Sequence, residues 1–218
     1  MTAAGRIVIV GGGGFGRELI SHVTDCHEAG RLPAVGGYID DGGEVLAPLG
    51  YDLPWLGPIE DYRPSPGDLC VLAIGSSTAK RAVVGKLKAR GAAFATMVHP
   101  SSVASRRTTM GEGVIIGTHA GAGVDTRIGD FVTINSYSAL GHDASVGSYT
   151  TLSSHVDVTG YVQIGADVFI GSNATILPNV RIGDGASIGA GSVVYRSVGA
   201  GKTVFAPPAK LLKLPGRS

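Results

Sequence analysis

The 218-residue chain is 44% hydrophobic and 16% charged, a balance that lets it bury a core and excludes disorder. Its formal net charge is +1, and neither half carries a charged tail, which excludes a broad nucleic-acid surface. Thirty-five glycines without a Gly-X-Y period exclude collagen and point to turns and close backbone approaches.

The opening segment MTAAGRIVIVGGGG has an apolar run too short for a signal peptide or a membrane span, so a soluble cytoplasmic protein is expected. Cys26 and Cys70 lack metal-ligand spacing and read as reduced, buried thiols.

Ile7-Val8-Ile9-Val10 is a buried-strand run. Gly11-Gly12-Gly13-Gly14-Phe15-Gly16 follows, and a helix is predicted from Arg17 to about Cys26. Gly11, Gly13 and Gly16 match G-x-G-x-x-G, a turn whose backbone N–H groups can face a ligand at a helix N-terminus. Val35 to Ile39 predicts a second strand ending in Asp40-Asp41, where an acidic side chain can accept from a ribose or base. A solvated turn at Asp41-Gly42-Gly43 is the simpler alternative. Leu69 to Ile74 predicts a third strand, Ala79 to Ala89 a helix, and Phe94 to Val98 a strand leading onward. The order β-α-β-β-α-β makes a small α/β, Rossmann-like domain over residues 1–97, too short for a full dinucleotide domain.

From Val98 the pattern changes. Val98, Ala104, Met110, Ile116, Ala122, Ile128 and so on to Val194 place an apolar residue at every sixth position, with no break in phase. Four residues after each stands a small residue or valine, from Ser102, Thr108 and Val114 to Val198. The small residue and the next aliphatic one are two apart, so both lie on one face of a short strand. The intervening Gly, Asn and Asp turn a corner. Three such strands close a triangular coil, so equivalent residues recur every eighteen positions and stack into a solenoid.

This pattern resembles the hexapeptide repeat of the left-handed parallel β-helix acyltransferases, over essentially all of 98–198. The resemblance implies an all-β left-handed helix over 98–218, trimer formation, and acyl-CoA bound between neighbouring helices. The whole chain, from the Gly-rich βαβ unit through His99-Pro100 to Pro207-Pro208-Ala209-Lys210, is similar to bacterial sugar acetyltransferases of the sialic-acid and bacillosamine pathways. Members N-acetylate a UDP-linked 4-amino-4,6-dideoxy sugar or O-acetylate sialic acid and related glycans.

By that resemblance His142 is the general base, Asp143 orients its imidazole, and Asn135, seven residues earlier, contacts the acceptor. Members often have Glu where Asp143 stands. Adjacent residues on a strand point oppositely, so His142 and Asp143 can meet only at a coil corner. The Gly-rich loop (Gly11, Gly13, Gly14, Phe15, Gly16) with Asp40 and Asp41 would hold the nucleotide sugar. Phe15 stands where members commonly carry His. Gly160, one coil beyond His142, would offer its N–H to the acetyl carbonyl. Gly171, Ser172, Pro208, Ala209 and Lys210 would line the acetyl-CoA groove, and Thr151 stands where some relatives have a second His near the acetyl group. Lys202 or Lys210 could meet the CoA phosphates. His155, eighteen residues after Tyr137, should stack near it.

The expected activity is acetyl-CoA-dependent N-acetylation of a nucleotide-linked amino sugar by direct transfer, with no metal. O-acylation of a sugar or sialic acid would use the same base. A non-enzymatic scaffold would have no need of the His-Asp pair. A carbonic-anhydrase-like zinc site needs three converging histidines, and the spacing offers no close pair.

Overall fold

The computed structural model describes residues 5–208. The N-terminal part forms a parallel four-stranded sheet: β1 (Ile7–Val10), β2 (Val35–Ile39), β3 (Leu69–Leu72) and β4 (Ala93–Phe94), in the order β2-β1-β3-β4. Helices α1 (Gly14–Glu28) and α2 (Ser77–Lys88) follow β1 and β3. Strand order reverses between β1 and β3, so the chain leaves their carboxyl ends in opposite directions and opens a crevice there.

Helix α1 starts three residues earlier than expected. Gly13 is its N-cap, so Gly14, Phe15 and Gly16 lie in the first turn rather than in a loop. The reason is a close approach: a Cβ on Gly16 would sit 2.1 Å from the Gly11 carbonyl oxygen. Glycine there lets the helix begin directly against the turn. Helix α2 is capped by Ser76, whose Oγ accepts from the Ala79 N–H. β3 stops at Leu72, two residues short of the expected end.

From Met97 onward the chain is a parallel β-solenoid of two-residue strands in three sheets. The register has the predicted eighteen-residue coil, with Thr133 opposite Ile115 and Thr151, and Ile134 opposite Ile116 and Leu152. Ile116, Ile134, Leu152, Ile170 and Ile188 form one buried column, flanked by the small companions Val132, Val168 and Ala186. Buried companion hydroxyls of Thr126, Ser138 and Thr150 bond to the neighbouring coil; Ser138 Oγ donates to the Ser153 carbonyl and accepts from the Val156 N–H. The last turn is shorter, with Ser187 opposite Thr203, sixteen residues on.

The coil corners hold what the repeat did not reveal. Non-glycine residues adopt left-handed φ every six residues, including His119, Asp125, Phe131, Tyr137, Asp143, Tyr149, His155 and Tyr161, at +54° to +64°. Such a residue is strained by roughly 1 kcal/mol or more. The turn compensates by bonding the corner N–H to the coil before it, as in Tyr137 N to Thr118 O at 2.9 Å.

The two parts share a core. Met97 and Ile115 pack with Ile7, Ile9, Leu19 and Val71 under the sheet. Phe131 joins the cluster on its other face. Cys26 and Cys70 are free and buried, and burial pushes the Cys70 thiol up to about 12.

Candidate functional site

His142 and Asp143 occupy the corner between strands Ala139–Leu140 and Ser145–Val146. Asp143 has φ +59°, and this left-handed residue lets two consecutive side chains turn toward each other. The Nδ1 of His142 lies 2.9 Å from Asp143 Oδ2, which leaves Nε2 as the free nitrogen. The ring packs edge-on against Tyr161 and covers Gly160, where a Cβ would fall 2.7 Å from Nε2. Gly160 N–H, unlike its neighbours Thr159 and Tyr161, donates to no acceptor among the described residues. An imidazole aligned by a carboxylate therefore stands beside a spare backbone donor, the pairing that acyl transfer requires.

Asn135 is not in this corner. It lies one triangular edge away, in the turn before Ala139–Leu140, and lines a cavity of about 350 Å³ between α1 and the coil. Phe15 and Glu18 of α1, Gly75 after β3, and Thr133, Thr151 and Ser172 of the coil share that cavity. It unites residues expected on the sugar side (Phe15, Asn135) with residues expected on the CoA side (Thr151, Ser172), while His142 is not part of its wall.

Of the other expected contacts, Asp40 accepts from Gly12 N at 2.6 Å and from Gly42 N at 2.7 Å, and Asp41 accepts from Ile59 N at 2.8 Å. Both carboxylates thus fasten the loops around the Gly-rich turn. The Gly171 N–H is spent in the ladder on Ile188 O, at 2.8 Å. Pro208 is exposed, and a cavity of about 640 Å³ lies just before it at the last turn, against Tyr195, Phe205 and Pro207. Ala209 and Lys210 lie outside the described residues, whereas Lys202 is exposed. His155 stacks on Tyr137 with centroids 4.9 Å apart and rings 3° from parallel, and His119 stacks on the other face of Tyr137. His99 is buried at the junction between sheet and coil, its Nε2 3.0 Å from Asp25 Oδ2.

Two residues, one in the cavity wall and one behind it, have no counterpart in the sequence motifs. Glu18 is one; no motif marks it. Lys80 is the other. It is buried on α2 with Val84 and Leu87, at i, i+4 and i+7, so a lysine interrupts the apolar stripe. That interruption was the available signal. Lys80 Nζ donates to Phe131 O, Thr133 Oγ1 and Thr151 Oγ1 at 3.1, 2.8 and 2.8 Å, and burial pulls its pKa down to about 7. Among the described residues, no group of three or more His, Cys, Asp or Glu side chains is placed to hold a metal ion, and no helix is long and apolar enough to cross a membrane.

Residues 161–196 match the family model described as bacterial transferase hexapeptide (six repeats). That segment of the coil carries the repeat. The chain is also similar to a UDP-N-acetylbacillosamine N-acetyltransferase of Bacillus subtilis, 30% identical over 114 residues, 51% of this chain and 50% of that protein. The match thus spans about half the length of this curated relative. PerB of Caulobacter crescentus, solved with CoA and GDP-perosamine, superposes with a TM-score of 0.84 at 28% identity, covering 97% of this chain and 99% of that one. The acetyltransferase domain of PglB from Neisseria gonorrhoeae, solved with acetyl coenzyme A, shares the fold, with a TM-score of 0.83 at 22% identity over 96% of this chain and 100% of that one.

Proposed function

We propose that the protein transfers an acetyl group from acetyl-CoA to the amine of a nucleotide-linked amino sugar of the 4-amino-4,6-dideoxy type. The observation that carries this reading is the corner where Asp143 aligns His142 beside the unspent Gly160 N–H. The acceptor amine attacks the thioester carbonyl, and its surplus proton passes to His142 Nε2. Asp143 holds the imidazole in the tautomer that leaves Nε2 open and stabilises the imidazolium. The carbonyl oxygen gathers charge as the tetrahedral intermediate forms, and Gly160 N–H receives it. Collapse breaks the C–S bond, CoA leaves as the thiol after taking the proton from His142, and no acyl-enzyme forms.

The site is composite. The cavity holding Phe15, Asn135 and Thr151 opens at a different coil corner from His142, so an acceptor bound there meets the His142 of another copy of the chain. A trimer of left-handed coils, with acetyl-CoA between neighbours, supplies that arrangement. Residues 1–97 then act as the domain that receives the nucleotide sugar, and residues 98–218 as the acyl-transfer domain. In support, relatives named for amino-sugar N-acetylation or solved with GDP-perosamine align with the chain. Both cosubstrates belong to the cytoplasm.

The test is CoA thiol release by purified protein with acetyl-CoA and a panel of UDP-, GDP- and dTDP-linked 4-amino sugars, with His142→Ala in parallel. Release with one amino sugar, lost in the variant, is the expected result. Silence across the panel with acetyl-CoA binding intact moves the reading to hydroxyl acceptors. Silence without acetyl-CoA binding removes the enzyme.

A further inference from the structure

Lys80 is 1% exposed, yet no carboxylate accepts from it. Asp167, the acidic group that acts on it, is held bidentately by Arg81 at 2.7 Å through each oxygen. A buried cation without a close counter-ion is costly and calls for an account.

Proton bookkeeping around Nζ supplies one. An ammonium has three hydrogens and accepts nothing. Its three partners here are Phe131 O, Thr133 Oγ1 and Thr151 Oγ1. The carbonyl can only accept. Thr151 gives its one proton to the Gly75 carbonyl at 3.1 Å, so its oxygen accepts from Lys80. Thr133 Oγ1 also accepts from Lys80, and its own proton has no acceptor among the described residues. Thr133 is buried and borders the cavity between α1 and the coil. A buried hydroxyl proton left over by its neighbours is a donor waiting for a ligand.

We infer that Lys80 is a positioning residue that fixes Thr133 as a hydrogen-bond donor into this cavity, where it recognises a neutral oxygen of the bound ligand. The oxygen is neutral because Glu18 lines the same cavity and no Lys or Arg does, a setting that repels phosphate. A carbonyl, hydroxyl or ring oxygen fits. Two ligands carry one, the acetyl group of acetyl-CoA and the sugar of the acceptor. Lys80 itself stays behind the wall and touches neither. This assignment rests on the acetyltransferase reading only for the choice of probes.

Calorimetric binding at pH 6, where Lys80 carries its proton, tests it without requiring turnover. Acetyl-CoA, CoA and GDP-perosamine are titrated into the wild type, Thr133→Val, Thr133→Ser, Lys80→Met and the Thr133→Val/Lys80→Met double variant. Loss of one neutral hydrogen bond predicts about tenfold weaker binding of one probe in Thr133→Val and in Lys80→Met. Because the two act through one bond, the double variant should be no weaker than either alone. Thr133→Ser, which keeps the hydroxyl, should bind as the wild type does. Loss confined to the preference for acetyl-CoA over CoA identifies the acyl carbonyl; loss for GDP-perosamine identifies the sugar. A purely structural Lys80 would lower the melting temperature without selecting a probe. Unchanged binding in Thr133→Val overturns the inference even if Lys80→Met fails to fold. Additive losses in the double variant, or a wild type that binds none of the probes, overturn it too. Wild-type binding without CoA release would sink the transfer reading and leave this one standing.

Discussion

The coil and the N-terminal sheet reach stability by different routes. In the coil the aliphatic core residues stack on apolar residues eighteen positions away, as Ile134 does on Ile116 and Leu152. Its core is a one-dimensional stack, and each coil contacts only its neighbours. In the sheet, contacts are singular. Gly16 exists to clear the Gly11 carbonyl, Asp68 accepts from Arg6, Tyr62 and Ser65, and Asp40 ties Gly12 to Gly42. The repeat tolerates variation and supplies a rigid ladder of corners. The sheet is built from unrepeated fits, and it contributes the non-periodic side chains Phe15, Glu18 and Lys80 that shape the cavity.

The sharpest break in this comparison is chemical. His142→Ala should lower acetyl transfer by about 10²–10⁴-fold, the usual worth of a general base, while leaving the coil folded. Thiol-release kinetics with a circular dichroism melt would check both halves, and unaltered turnover would remove His142 from the mechanism. Next in size, Ile134→Ala should destabilise the coil by about 2–5 kcal/mol, because its fully buried side chain leaves a cavity between two coils. Urea unfolding would measure it. Hydrogen exchange should show the loss spreading along neighbouring coils before it reaches the sheet, as expected of a nearest-neighbour stack.

Gly160→Ala joins the two comparisons at one residue. Its backbone does not need glycine's left-handed freedom, but the new methyl would meet the His142 ring. The ring is the movable partner, so turnover should fall about 10- to 100-fold with little change in melting temperature, on the scale of a displaced catalytic group. A large stability loss with proportionate activity would instead mean that glycine is needed for the coil itself.

The remaining effect is a pH dependence. Burial holds the native pKa of Lys80 near 7, below its ordinary value of 10.5. Between about pH 7 and 10.5 the unfolded chain therefore binds the proton that the native chain has released. Stability should rise with pH through that window and be insensitive to Lys80 below it. Above pH 7 the neutral amine can also accept the Thr133 proton, which would withdraw the donor from the cavity. Comparing urea midpoints of the wild type and Lys80→Met across this range isolates the term; parallel profiles would mean that the three acceptors keep Lys80 charged.

The sequence alone determined the solenoid, its eighteen-residue coil, the stacking of His155 on Tyr137 and the order of the βαβ elements. Each follows from spacing, and spacing is what a repeat records. It also required that His142 and Asp143 meet only at a corner, and the left-handed Asp143 satisfies that condition. Tertiary structure alone decided the rest. It put Asn135 and His142 on different corners, because seven residues is more than one side of the triangle. It spent Asp40 and Asp41 on the backbone of nearby loops. It laid α2 against the coil so that Lys80 meets Thr133 and Thr151, 53 and 71 residues away. No local pattern encodes such contacts, because they depend on where a non-repeating sheet comes to rest on a repeating coil.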